Sequence, residues 1–155
     1  MRNYAIKYLE LVERHAEDMA KRWAKDVRSN LKTTHYTTLD EEEIISQCIK
    51  FYQHFSKMFV DEKLSEDVLK YFRTYAQESY KMGIPMEEAL YALILMRRHI
   101  WLYAEFQTIF STSIDQRQAV DTLSRTILLF DYASYEITKE YQDLLSQEKG
   151  RKKAK

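Results

Sequence analysis

Apolar residues recur along this chain at intervals of three and four, the period of a helix with one face turned to a core. The first run covers residues 3–31. Leu9, Val12, Ala16, Met19, Trp23, Val27 and Leu31 share a face, while Glu17/Lys21 and Asp18/Arg22 pair at i,i+4 on the other. Thr33–Thr38 interrupts the period with polar β-branched residues and reads as a loop. Asp40, followed three residues later by Glu43, marks a second helix running to about Val60, with Ile44, Cys48, Phe51, Phe55, Met58 and Phe59 inward. Ser65 is the next N-cap; Val68, Leu69, Phe72, Tyr75, Ala76 and Ser79 follow, and Gly83 supplies a left-handed stop.

Pro85 opens a fourth helix, to about Phe110, whose apolar positions cover most of its circumference and predict a central place in the bundle. Asp115 caps a fifth, which meets no breaker before Gly150. From Gln116 to Gln147 it would span about 48 Å at 1.5 Å per residue. Val120, Leu123, Ile127, Phe130, Ser134, Ile137, Tyr141 and Leu144 alternate by three and four along it, a heptad pattern. Two uses fit that stripe: packing on helices one and four of its own chain, or a dimer seam. Its length favours a homodimer seam at Ile127, Ser134, Ile137, Tyr141 and Leu144.

Composition narrows the fold class to all-α. The 155 residues hold two glycines and one proline, too few to turn a sheet protein. The expectation is a single bundle of about five main helices over residues 1–147, with 148–155 as a basic disordered tail. Twenty-four basic and 24 acidic residues cancel, which leaves no global field for nucleic acid or an anionic membrane. The longest apolar stretch, Ala89–Met96, is far short of the roughly 20 residues that span a bilayer. A single cysteine, Cys48, and an N-terminus with no signal-peptide core suit a reducing cytoplasm.

Candidate chemistry is sparse. Phosphate loops, H-E-x-x-H, Cys-x-x-Cys and the Glu-x-x-His pairs of di-iron bundles are all absent, so no enzyme is expected. His54 and Met58 share an i,i+4 spacing, and His99 lies on helix four; either histidine would serve the alternative of a haem-binding, globin-like sensor, although no cofactor is the main expectation. Arg97 lies on the line Leu90, Ile94, Trp101, a guanidinium set into an apolar face that demands a carboxylate or an anion. Asp131, between Phe130 and Tyr132, is its counterpart. Two readings stand: an Arg97–Asp131 pair that fixes helix register, or a small-molecule pocket lined by Arg97, Trp101, Asp131 and Tyr75.

Three segments carry a resemblance: Ala20-Lys-Arg-Trp-Ala-Lys-Asp-Val; Gly83-Ile-Pro-Met-Glu-Glu-Ala-Leu with Leu95-Met-Arg-Arg-His-Ile-Trp; and Asp131 with Tyr141. Together they resemble the RsbRD-type N-terminal sensory domain of bacterial stress-signalling proteins. That resemblance covers most of residues 1–147. It implies an all-helical, usually dimeric input module whose last helix leads to an output domain, with a downstream signalling protein as partner. It implies no catalytic residue; the arginine and tryptophan of the helix-four motif would be Arg97 and Trp101. The chain departs from the family after Leu145, where a basic segment stands in place of an output domain.

Overall fold

The computed structural model describes residues 3–60, 65–103 and 116–154. Among them the chain forms six α-helices and one 3-10 helix, and no strand. They are α1 (Asn3–Arg14), α2 (Ala16–Ser29), the 3-10 helix (Thr34–Thr38), α3 (Glu41–Val60), α4 (Glu66–Lys81), α5 (Met86–Leu102) and α6 (Gln116–Ala154). The all-α bundle with a long C-terminal helix is therefore as the periodicity predicts. No helix among the described residues is long and apolar enough to cross a membrane.

The first predicted helix is two. His15 leaves helical geometry (φ −106°, ψ 11°), although His15 N–H still bonds Leu11 O and Met19 N–H bonds His15 O. Its ring packs on Tyr103 and shares a 2.9 Å hydrogen bond with that hydroxyl, which binds this junction to the end of α5. α2 stops at Ser29, so Leu31 leaves the stripe to which its spacing assigns it and is 91% exposed. The segment expected as a loop is the 3-10 turn, and its Tyr36 is fully buried. Pro85 stands at the start of α5, as its N-cap. α5 ends at Leu102, where Tyr103 turns extended (φ −73°, ψ 120°), short of the expected end near Phe110; the cap expected at Asp115 lies outside the described residues.

Other punctuation stands where the sequence puts it. Ser65 Oγ accepts the Val68 N–H at 3.4 Å. Gly83 has φ 78°, and α4 closes with Gly83 N–H on Tyr80 O (3.0 Å) and Ile84 N–H on Ser79 O (3.1 Å). Those two bonds are the paired C-terminal closure that a left-handed residue makes possible.

The core fills between the helices from both ends of the chain. α2 packs on α3, α5 and the 3-10 turn, while α6 packs on α4, α5 and α3. α5 contacts α2, α4 and α6, and its small Ala89 and Ala92 permit close approach. Trp23 uses that room: it is fully buried and donates Nε1–H to Ala92 O at 2.9 Å. Tyr8 ties α1 to α6 through a 3.0 Å bond with Thr126 Oγ1.

α6 differs from its prediction in two respects. It continues through Gly150 to Ala154, so the segment expected to be a disordered tail is helical, exposed, and tied to α4 by the Tyr80 hydroxyl on Glu148. The heptad stripe also does not remain on one side. Phe130, Ile137 and Tyr141 are buried in the chain's own core, whereas Val120, Leu123 and Ile127 are exposed. A straight α-helix drifts ~20° per heptad against a strict seven-residue repeat, so a stripe this long winds from one face to the next. Ile137 and Tyr141 thus serve intramolecular packing rather than a dimer seam. Ser134 and Leu144 sit half-buried at the edge.

Candidate functional site

The four residues expected to line a pocket differ in burial. Arg97 and Trp101 are half-buried on α5 and Asp131 is exposed on α6; only Tyr75 is in the core. Among the described residues no ion pair joins Arg97 to Asp131. Adjacent residues on a helix point about 100° apart. Phe130 turns inward, so Asp131 turns out, and a half-buried Arg97 can reach water without a buried partner.

Tyr75 instead belongs to a cluster of polar side chains at the centre of the bundle. Tyr36 comes from the 3-10 turn, Gln47 and Cys48 from α3, Tyr75 and Ser79 from α4, and Tyr141 from α6; all six are buried. Gln47 Nε2–H donates to Ser79 Oγ at 3.4 Å. Tyr141 donates its hydroxyl to Ile84 O at 2.9 Å, on the turn that closes α4. Tyr52, one residue position along α3 from the core side of Phe51, donates to Met96 O at 2.8 Å.

Among the described residues three atoms of this cluster meet no hydrogen-bond partner: the Tyr36 hydroxyl, the Tyr75 hydroxyl and Gln47 Oε1. The Tyr75 hydroxyl lies close enough to pull the Tyr36 pKa down. Burial outweighs that contact and pushes both phenols well above their ordinary value near 10. It raises the Cys48 thiol as well. Every group here is thus neutral near pH 7, and the cluster offers hydrogen bonds to a ligand, not an ionised nucleophile or base.

The 3-10 turn that carries Tyr36 is fixed on both sides. Glu88, buried in the first turn of α5, accepts from the His35 backbone N–H (2.9 Å) and from its ring Nδ1. On the α2 side, Thr33 Oγ1–H donates to Val27 O (2.6 Å) and Thr37 Oγ1–H to Arg28 O (3.0 Å). Sequence periodicity gives no sign of Tyr36 or Gln47, because one lies outside any helical stripe and the other is polar. The available signal was local: Tyr36 is an aromatic in an otherwise polar turn.

The histidines considered for haem are engaged elsewhere. His99 Nε2 meets Asp26 Oδ2 at 2.9 Å, joining α5 to α2. His54 stacks on Tyr71 at 4.1 Å and its Nδ1 bonds Lys50 O, while Met58 lies in the core. Among the described residues no group of three or more His, Cys, Asp or Glu side chains is placed to hold a metal ion. A groove of about 610 Å³ runs between α2 and α3, but Lys21 and Lys50 offset Glu41 and Glu42 there and define no ligand class.

The second candidate feature is the outer face of α6. Val120, Leu123, Ile127, Leu128, Tyr132 and Tyr135 are all exposed, Ile127 by 43% and Tyr135 by 64%. Leu129, Phe130, Ala133, Ile137 and Tyr141 meanwhile fill the bundle side. The helix is apolar on two faces.

Comparison of the chain with protein-family models, curated proteins and solved structures returns no match.

Proposed function

We propose that this chain is a cytoplasmic sensory module of the RsbRD-like kind, acting as a homodimer and passing its state through α6 to a downstream signalling protein. The observation that carries this reading is the second apolar face of α6. Six large hydrophobic side chains between Val120 and Tyr135 stand in water on a helix whose opposite side is already packed. An exposed apolar run of that kind marks an interaction surface, and a second copy can bury it by pairing α6 with α6. The same helix reaches the polar cluster through Tyr141, so a change at the core and a change at the seam share one rigid element. The role is binding and relay rather than catalysis, in keeping with a cluster of neutral hydrogen-bonding groups.

Light scattering coupled to size exclusion tests the reading across a concentration series. The wild-type chain is expected at twice its 18.7 kDa mass, and an Ile127→Glu/Leu128→Glu variant at the monomer mass with unchanged far-ultraviolet circular dichroism. A wild-type monomer at all concentrations would overturn the dimer.

A further inference from the structure

We infer that the exposed face of α6 is the seam of an antiparallel pair, in which a second copy of this chain lies on a two-fold axis between Ile127 and Leu128. The inference rests on the dimer proposed above and adds its direction and register. In a two-fold contact each residue meets a different residue of the partner, which meets it in return. With the axis there, Val120 lies opposite the partner's Tyr135, Leu123 opposite the partner's Tyr132, and Ile127 opposite the partner's Leu128. The exposed apolar side chains of this face are thereby matched with one another along about 22 Å of helix.

Asp131 decides the direction. Its neighbours one turn away on α6 include Ile127, Leu128 and Tyr135, so a carboxylate stands in the middle of the apolar face. In a parallel pair each residue faces its own copy, and Asp131 would meet the partner's Asp131 as the seam closes. Two carboxylates confined there without a cation are strongly unfavourable. In the antiparallel pair Asp131 meets the partner's Ser124 instead. Ser124 is exposed, and among the described residues its hydroxyl meets no acceptor, whereas Ser134 and Thr138 turn theirs back onto Phe130 O and Ser134 O. Each carboxylate therefore gains an O–H donor, twice over by symmetry. Sliding the pair by one turn removes that match, because Asp131 then faces Val120 in one direction and Leu128 in the other.

The basic end of α6 supplies a second reason. Lys149, Arg151, Lys152 and Lys153 are all exposed. A parallel pair would run two such ends side by side, within the ~10 Å over which charges act on one another at 0.1 M salt. The antiparallel pair carries them about 30 Å out from the axis on opposite sides. A downstream protein would then meet two separate basic ends, one per copy, rather than one shared end.

The test is disulfide trapping in the full chain. Val120→Cys and Tyr135→Cys stand at opposite ends of the face, and wild type, whose one thiol Cys48 is buried, is the control. Each variant is oxidised alone and after co-expression of the two, with light scattering of the reduced samples alongside. A linked pair of chains is expected only from the co-expressed variants. A link from either variant alone, or a dimer that links in no combination, overturns the antiparallel seam and leaves the dimer standing. Monomers throughout overturn both. Asp131→Leu, added to each cysteine variant, is expected to admit links within a single variant, because no carboxylate then forbids the parallel pair. Linking still confined to the co-expressed chains would overturn the part given to Asp131.

Discussion

Glu88 holds His35 twice, through the backbone N–H at 2.9 Å and through ring Nδ1. The two contacts are unequal. Glu88 is buried, whereas the His35 side chain is 54% exposed. Glu88→Ala strands a backbone donor and frees the 3-10 turn, and is expected to cost about 2–3 kcal/mol. His35→Ala retains the backbone bond and loses only a half-exposed contact, for less than about 1 kcal/mol. Urea denaturation of the two variants checks the order; equal losses would mean that the ring carries the attachment.

The buried phenols fix the alkaline limit of stability. Tyr36, Tyr52, Tyr75 and Tyr141, with the half-buried Tyr71, are all raised above their ordinary value near 10, chiefly by loss of water around them. Below pH 10 each phenol is protonated in both folded and unfolded chains, so none of them makes stability depend on pH. Above it the unfolded chain loses protons that the folded chain keeps, and stability falls as pH rises. Each such group contributes about 1.4 kcal/mol per pH unit. Five acting together would unfold the protein cooperatively within one or two units above pH 10. Tyrosinate absorbance and circular dichroism, followed together, are expected to show exposed tyrosines titrating first and the buried set appearing only with loss of helix.

The two glycines predict opposite signs for one substitution. Gly83→Ala meets no atom within 4 Å, but its φ of +78° is a conformation an alanine adopts only with strain of about 1–2 kcal/mol. Gly150 lies inside exposed α6, where alanine is the better helix former by about 1 kcal/mol. Gly83→Ala is therefore expected to lower the melting temperature and Gly150→Ala to raise the helical content of α6. Melts followed at 222 nm distinguish the two.

Spacing made most of the fold legible, because an amphipathic helix must put its apolar residues at threes and fours. Leu9 through Val27, the inward side of α3 and the stop at Gly83 all stand as that logic requires. It failed where two influences compete. Leu31 matches the stripe, but α2 ends at Ser29 and takes the period with it. Asp131 looked buried between Phe130 and Tyr132, yet sequence neighbours on a helix lie on different sides. Val120 to Leu144 followed one repeat on paper, while the helix carried its first half outward and its second into the core. Of the four residues expected to line a pocket, only Tyr75 is in the core. Tyr36 and Gln47 were missed because a buried polar residue carries no periodic mark, and its position is decided by what three other elements leave beside it.

Cys48 is the one thiol in the chain, fully buried and unbonded to another sulfur. Its position makes it a chronometer of the interior. A thiol reagent can reach it only when α3 parts from its neighbours, and the raised thiol pKa makes reaction slow until then. The rate of labelling under native conditions therefore measures how often the core opens. A partner clasping α6 would register as a slower clock in a protein otherwise unchanged.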